Sequence, residues 1–349
     1  MPTTAIAAVL VKSASPLEIA EFRLPRSLYF GQVLVQIHFS GVCSSQVHEI
    51  DARKGPDRFL PHMLGHEGVG TVHAVGEGVS QVVEGDTVVL HWRSGLGLLA
   101  APPSYSWKEG ALNAGHVTTF NSWAVVSENR VTTIPESIDL RIAPLLGCAL
   151  TTGFGAVSND ARVKIGQSAV VFGAGGVGMA VIQALRMAGA FPIVAVDIHE
   201  LKLTHALSLG ATHAILMSDM ESFINSFSNI IDENGAEVLF ETTGIRTVIE
   251  LAYKLTAPRG SLILIGVPEP GDPASLTTLD LHFGKIITGS HGGSTDPSTD
   301  IPRLVRLIEA GLLEFSKYPI TVTPFEDINV ALDNLRSGVP GRQIVKFTH

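Results

Sequence analysis

Residues 168–197, SAVVFGAGGVGMAVIQALRMAGAFPIVAVD, are apolar almost throughout, for longer than the roughly 20 residues a membrane-spanning helix needs. Glycines crowd the front of the run, Arg186 interrupts it and Pro192 breaks it near the end. It divides instead into a buried strand (Ala169 to Phe172), a glycine-rich turn opening a helix (Gly173 to about Ala188) and a second buried strand (Ile193 to Val196). That is a βαβ unit.

The same alternation continues downstream. AEVLFETTG (236–244), SLILIGVP (261–268) and KIITGS (285–290) are short apolar runs ending in glycine or turn residues, with helical patterns such as IRTVIELAYKL between them. Strands alternating with helices predict an α/β, doubly wound parallel sheet over residues 151–289. Cofactor-lining residues belong at the carboxyl ends of its strands, near Thr242, Thr243 and Gly266, Val267 and Pro268.

The first 150 residues have another texture. GQVLVQIHFSGV, GVGTVHAVG, DTVVLHW and SWAVVSEN are β-rich runs punctuated by Gly, Pro and Asn, which predict an irregular, mostly β domain. After residue 289 come a helical pattern, IPRLVRLIEAGLL, and two strand-like runs, YPITVTPF and RQIVKFTH. This tail is expected to return to the first domain, so that residues 1–150 and 290–349 form one domain and 151–289 the other.

Composition sharpens the class. A chain of 349 residues with 45% hydrophobic content can bury a core in each of two domains. Its net charge of -9, with no basic run, excludes a polyanionic nucleic acid as a natural partner. The N-terminal segment lacks a basic stretch and a small-residue cleavage pattern, and two distant cysteines make no disulfide framework, so the expected location is the cytoplasm, with no membrane association.

The turn Gly173-Ala174-Gly175-Gly176-Val177-Gly178 reads GxGxxG between strand and helix. The first glycine permits the tight turn, the second lets backbone amides approach a pyrophosphate and the third brings helix and strand together. Asp197 closes the next strand, where a carboxylate accepts from ribose hydroxyls and repels a 2′-phosphate. NAD is therefore expected rather than NADP.

Cys43, in GVCSSQVHEI, can be a buried hydrophobe, half of a disulfide or a metal ligand; taken alone it reads as packing. LGHEGVG supplies His66 and Glu67, and LLGCALTTGFG supplies Cys148. Two thiolates and an imidazole suit zinc, and three protein ligands leave one position for water or substrate. His62, His91 and His116 are read as structural.

The ordered set GVCSSQVHE, LGHEGVGTV, VGEGVSQVVEGDTVVL, TTFNSWAVV, GCALTTGFGAV and VFGAGGVGMAVIQALRMAGA, with Asp197 following, resembles the zinc-dependent alcohol dehydrogenases of the medium-chain dehydrogenase/reductase superfamily. The resemblance covers essentially the whole chain and is strongest toward the branch containing glutathione-dependent formaldehyde dehydrogenase. It implies a GroES-like catalytic domain beside a Rossmann domain, and Cys43, His66 and Cys148 as ligands of a catalytic zinc, with Glu67 able to approach the metal. It also implies that Ser45 contacts the substrate oxygen, that His48 ends a proton relay, and that Thr152, Lys202 and Arg342 touch the dinucleotide. Trp92 falls where relatives line the substrate pocket. A homodimer is implied, with a tetramer as the larger alternative.

Three departures matter. The segment HWRSGLGLLAAPPSYSWKEGALNAGHVTTF holds no cysteine where many members carry four for a structural zinc. One zinc per chain is therefore expected. Gln46 replaces an aspartate that often orients the zinc histidine, and Ser44 replaces an arginine that some members place on the pyrophosphate.

The expected activity is hydride transfer between NAD and a small alcohol or carbonyl, with a polyol, amino alcohol or other secondary alcohol as the substrate guess. The alternatives are a zinc-free quinone or enoyl reductase of the same superfamily and a non-catalytic dinucleotide sensor.

Overall fold

In β1 (Thr4–Leu10), β2 (Glu18–Arg23) and the long β3 (Gln32–Val42), apolar positions alternate or run on according to how many faces are covered. The computed structural model describes residues 2–53, 55–108, 110–313 and 317–349. On β3, Val33, Val35 and Ile37 enter one core while Leu34 enters another with Phe22 and Tyr105. Burial on both faces explains its unbroken VLV run, each such side chain contributing about 1.5–3 kcal/mol.

Helix α1 (Ser44–Ile50) follows β3 directly. Then come β4 (His62–Met63), β5 (Glu67–Val75), β6 (Thr87–His91), β7 (Tyr105–Trp107), β8 (Gly110–Leu112), β9 (Trp123–Ser127) and β10 (Val131–Thr133). Strands β4-β1-β2-β7-β8 make one sheet. In the other, β3 pairs antiparallel with β5 along one side and with β9 on the other, and β5 continues to β6 and β10.

The second unit begins with α2 (Ala149–Gly155) and runs β11 (Ala169–Phe172), α3 (Gly176–Ala188), β12 (Ile193–Asp197), α4 (Glu200–Leu209), β13 (His213–Leu216), α5 (Met220–Ser228), β14 (Ala236–Glu241), α6 (Arg246–Leu255), β15 (Thr256–Leu264), α7 (Leu279–His282) and β16 (Ile286–Gly289). Its six strands are all parallel, in the order β13-β12-β11-β14-β15-β16. The order reverses between β11 and β14, the switch point at which such sheets open a ligand crevice.

The chain then forms α8 (Pro297–Glu309), β17 (Ile320–Pro324), α9 (Ile328–Arg336) and β18 (Arg342–Lys346). Strand β18 pairs antiparallel with the end of β3, Val42 opposite Gln343. One compact unit thus comprises the chain through Cys148 with Asp296–Leu313 and Ile320–His349, and the other comprises Ala149–Thr295 and a short piece ending at Pro319. Of the 290–349 stretch expected in the first domain, residues 290–295 and the piece ending at Pro319 sit with the sheet of the second. No helix among the described residues is long and apolar enough to cross a membrane.

The cysteine-free lobe is held by a carboxylate. Glu128, fully buried, accepts from the backbone N–H groups of Ser80 (2.5 Å), Gln81 (2.8 Å) and Leu98 (2.6 Å). Ser127 adds bonds to the Leu98 carbonyl (2.9 Å) and from the Ala100 N–H (2.8 Å). Burial raises the Glu128 pKa, but the three N–H donors outweigh it and leave the group below its usual value. A depressed folded-state pKa contributes stability above the unfolded value of about 4.3 and loses it as pH falls through the folded one. Glu128→Gln, which turns an NH₂ group toward one of these donors, is expected to cost about 2 kcal/mol and to flatten the acid limb of stability; urea unfolding across acidic pH checks both.

Candidate metal centre and dinucleotide turn

Strand register assembles the metal centre. Ser40 of β3 lies opposite Gly68 of β5, so Cys43, just past β3, and His66, just before β5, emerge at the same sheet end. Cys148 arrives on the short helical segment Ala143–Gly147, which packs so closely on the strand ends that a Cβ on Gly147 would stand 2.3 Å from the Leu90 carbonyl and 3.3 Å from the Glu67 Cα. The two sulfurs and an imidazole nitrogen all fall within 4.8 Å of one another, with Cys148 buried and the other two half-buried.

The protonation pattern suits a thiophilic cation. A hydrogen bond from the Cys148 thiol draws Cys43 well below the usual cysteine range, against the opposing effect of burial, with His66 and Arg342 assisting. The same bond, together with burial, pushes Cys148 up. Burial disfavours the His66 imidazolium, yet the hydrogen bond and charge of Cys43 raise its pKa overall. A thiolate, a thiol and an imidazole on one small volume match the borderline-soft donor set of zinc, which would displace the remaining protons.

The residues around the triad are tied to it from distant parts of the chain. Glu67, entirely buried, receives a hydrogen bond from the guanidinium of Arg342, itself 6% exposed. Arg342 opens β18, which the register with β3 brings beside Cys43. Ser40 donates to the Glu67 carbonyl (3.1 Å) and shares a hydrogen bond with Thr119 (2.7 Å), which also reaches that carbonyl (3.3 Å). Neither Ser40 nor Thr119 was singled out from the sequence, although Thr119 lies in the TTFNSWAVV motif.

Gln46 shows how this chain manages without an aspartate at that place. Its side-chain oxygen accepts from the Gly65 backbone N–H, and its NH₂ group donates to Glu49 (3.2 Å). Gly65 has φ +86, and a Cβ there would come within 2.4 Å of the Thr119 hydroxyl. Only glycine fits that squeeze, and Gln46 pins the turn immediately before His66. Ser45 and His48 lie one turn apart on α1, both half-buried, on one face of the helix.

Of the other histidines, His62 is bound to Asp57 (2.6 Å) and to the Met63 carbonyl (3.0 Å). His91 donates to the Arg93 carbonyl (2.7 Å), meets Thr132 (3.0 Å) and has its pKa lowered by burial to about 4, so it is neutral. His116 meets the Ala100 carbonyl (3.1 Å).

In the second unit the glycine-rich turn joins β11 to α3 at the switch point. A Cβ on Gly178 would sit 1.8 Å from the Gly173 carbonyl, so the helix can approach its strand this closely only as glycine. Gly175 is the N-cap residue of α3, followed by Gly176 and Val177 in its first turn, where amides lack helical partners. Asp197 ends β12 with one oxygen on the Ala174 N–H (2.8 Å) and the other on the His199 N–H (2.9 Å). Thr242 donates to the carbonyls of Phe172 (2.9 Å) and Gly173 (3.0 Å), tying the end of β14 to the turn. Thr152 lies buried in α2, Lys202 half-buried in α4, and Gly266 and the exposed Val267 just past β15. Tyr318, which the sequence did not mark, donates to the Gly176 carbonyl.

A thiolate–imidazole centre in a β-rich unit and a dinucleotide turn in a doubly wound unit together define a nicotinamide-linked, metal-dependent oxidoreductase. Residues 30–136 match the family model described as alcohol dehydrogenase GroES-like domain, and residues 176–310 the one described as zinc-binding dehydrogenase. The chain is 31% identical to an S-(hydroxymethyl)glutathione dehydrogenase of Paracoccus denitrificans, covering 98% of this chain and 99% of that one. An alcohol dehydrogenase zinc-binding domain protein of Burkholderia ambifaria superposes with a TM-score of 0.90 at 30% identity, over 99% of each chain. Benzyl alcohol dehydrogenase of Acinetobacter calcoaceticus does so with a TM-score of 0.87 at 27% identity, over 99% of this chain and 100% of that one. The chain belongs to the zinc-dependent alcohol dehydrogenases of the medium-chain superfamily, oxidoreductases acting on CH–OH groups with zinc and NAD.

Proposed function

We propose that Cys43, His66 and Cys148 hold a single catalytic zinc at which this chain passes a hydride between a small alcohol and NAD. The observation that carries the reading is the convergence of these three donors within 4.8 Å from three separate stretches of chain. Zinc supplies Lewis acidity that lowers the pKa of the alcohol. Ser45 and His48, one turn apart on α1, would carry the hydroxyl proton away to solvent with the cofactor ribose between them, Ser45 giving up its own proton as it accepts that of the alcohol. Glu67, anchored by Arg342, offers a carboxylate beside the triad for ligand exchange.

Backbone amides at Gly175, Gly176, Val177 and Gly178 hold the pyrophosphate in this reading, with Gly173 shaping the turn and Asp197 on the ribose. Thr152, Lys202, Thr242, Gly266, Val267 and Arg342 complete the dinucleotide contacts. A lobe without cysteines supports one zinc per chain, and thiolate ligands suit the reducing cytoplasm. Strand β16 closes its sheet as an edge, with Ile286 52% and Phe283 68% exposed. An open apolar edge favours pairing with a second copy, which supports a homodimer.

The substrate is a small alcohol, with polyols, amino alcohols and other secondary alcohols as the candidates. The test is NADH formation from a panel of these and benzyl alcohol, before and after chelation of the metal. Turnover lost on chelation is expected. Metal-independent reduction of quinones or enones, or NAD binding without any turnover, would replace this reading with a zinc-free reductase or a sensor.

A further inference from the structure

Gln46 joins the backbones of two of the metal donors. Its own N–H donates to the Cys43 carbonyl (3.0 Å), and its side-chain oxygen accepts from the Gly65 N–H, immediately before His66. Gln46 is 6% exposed, so water competes little for either bond. The segment it grips is held at further points. The Leu64 carbonyl accepts from the N–H groups of Thr119 and Phe120 (both 3.1 Å), and the Glu67 carbonyl from Ser40 (3.1 Å) and Thr119 (3.3 Å). Those bonds come from β3 and from the stretch before β9, whereas the bond from Gln46 comes from α1, the helix that opens directly after Cys43. The peptide before His66 is thereby fixed against the peptide that carries the Cys43 sulfur.

The chemistry at this position calls for an amide. On one side stands a backbone N–H, which only donates; on the other stands the Glu49 carboxylate, which accepts from the Gln46 NH₂ group (3.2 Å). An amide offers an acceptor and a donor at once. Glu49 lies one turn along α1 from Gln46, and its carboxylate is within 4.8 Å of the Asp57 carboxylate and the His62 imidazole. A carboxylate at position 46 would add an anion to the two already gathered there. An apolar side chain would leave the buried Gly65 N–H without this partner. Glu49 thus orients the amide, and the amide orients the turn.

We propose that Gln46, oriented by Glu49, is a positioning residue for the metal: by tying the Cys43 carbonyl to the Gly65 N–H it sets the spacing of thiolate and imidazole, and with it the affinity and coordination geometry of zinc. The inference rests on the zinc reading above and deepens it.

Zinc affinity, measured by competition with a chromophoric chelator, and the visible absorption of the cobalt(II)-substituted chain test it, with near-ultraviolet circular dichroism as the check on folding. Gln46→Leu is expected to bind zinc roughly 10–100-fold more weakly and to shift the cobalt bands, which a role confined to fold stability would leave in place. Gln46→Glu is expected to bind zinc more weakly too, although it adds a negative charge near a cation. Adding Glu49→Gln to it restores the hydrogen bond with its polarity reversed, and most of the affinity and the native cobalt spectrum should return. Native affinity and spectrum in Gln46→Leu overturn the proposal. So does tighter zinc in Gln46→Glu, or a double variant no better than that single one, and this pair carries the test should Gln46→Leu fail to fold. A native chain that binds no zinc sinks the dehydrogenase reading itself; a native chain and variants that hold zinc equally well sink only this inference.

Discussion

Cys148→Ala is expected to remove tightly held zinc and to lower kcat/KM for alcohol oxidation by about a thousandfold or more. The magnitude follows from the several kcal/mol that a Lewis-acidic metal contributes to the transition state, at about 1.4 kcal/mol per factor of ten. Loss of one of three donors leaves a thiol and an imidazole, too few to hold the metal against dilution. Cys148 also donates the hydrogen bond that lowers the Cys43 pKa, so Cys148→Ala weakens the thiolate character of the sulfur that remains. Elemental analysis of the native chain, Cys43→Ala and Cys148→Ala gives the metal count, and NADH formation gives the rate. NADH binding in the same variants separates loss of metal from loss of fold. One zinc per native chain and none in either variant is the expected result; zinc retained without both cysteines would remove the triad from the mechanism.

Arg342→Met is expected to destabilise the apo chain by about 3–5 kcal/mol, because it takes a guanidinium away from the buried Glu67 carboxylate. Glu67 is fully buried and Arg342 only 6% exposed, so water screens the pair little. A Glu67→Gln/Arg342→Met double variant removes the charge together with its partner, and most of the loss should return. Urea unfolding of the native, single and double variants measures the coupling. A loss below 1 kcal/mol in Arg342→Met would show that other groups satisfy Glu67, and that the arginine is held there for the dinucleotide alone.

How far the sequence reached depended on the range of the forces involved. The boundaries expected for the βαβ unit agree with β11, α3 and β12 to within a few residues, because apolar runs, glycines at fixed spacing and a proline act over neighbouring residues. Strand β13 went unremarked, since in His213–Leu216 only Ile215 is fully buried and the pattern is too short to register. The proposed ligands Cys43, His66 and Cys148 stood out through their chemistry, and Arg342 through its motif, though with a dinucleotide role and not the Glu67 partner that the structure shows.

The chain by itself determined its class: two domains, a doubly wound sheet with a dinucleotide turn, and two thiolates with one imidazole available for zinc. Periodicity and residue type suffice for that, because they express local conformational preference and intrinsic chemistry. Only the tertiary structure decided what surrounds the chemistry. Glu67 and Arg342 are 275 positions apart and meet because β18 returns to the end of β3. Gln46 grips the backbone before His66, and Glu128 ties the cysteine-free lobe at Leu98 to the backbone of Ser80 and Gln81. Such contacts depend on strand register and on closures across long stretches of chain, whose partners are chosen by the packing of the whole domain rather than by any local pattern.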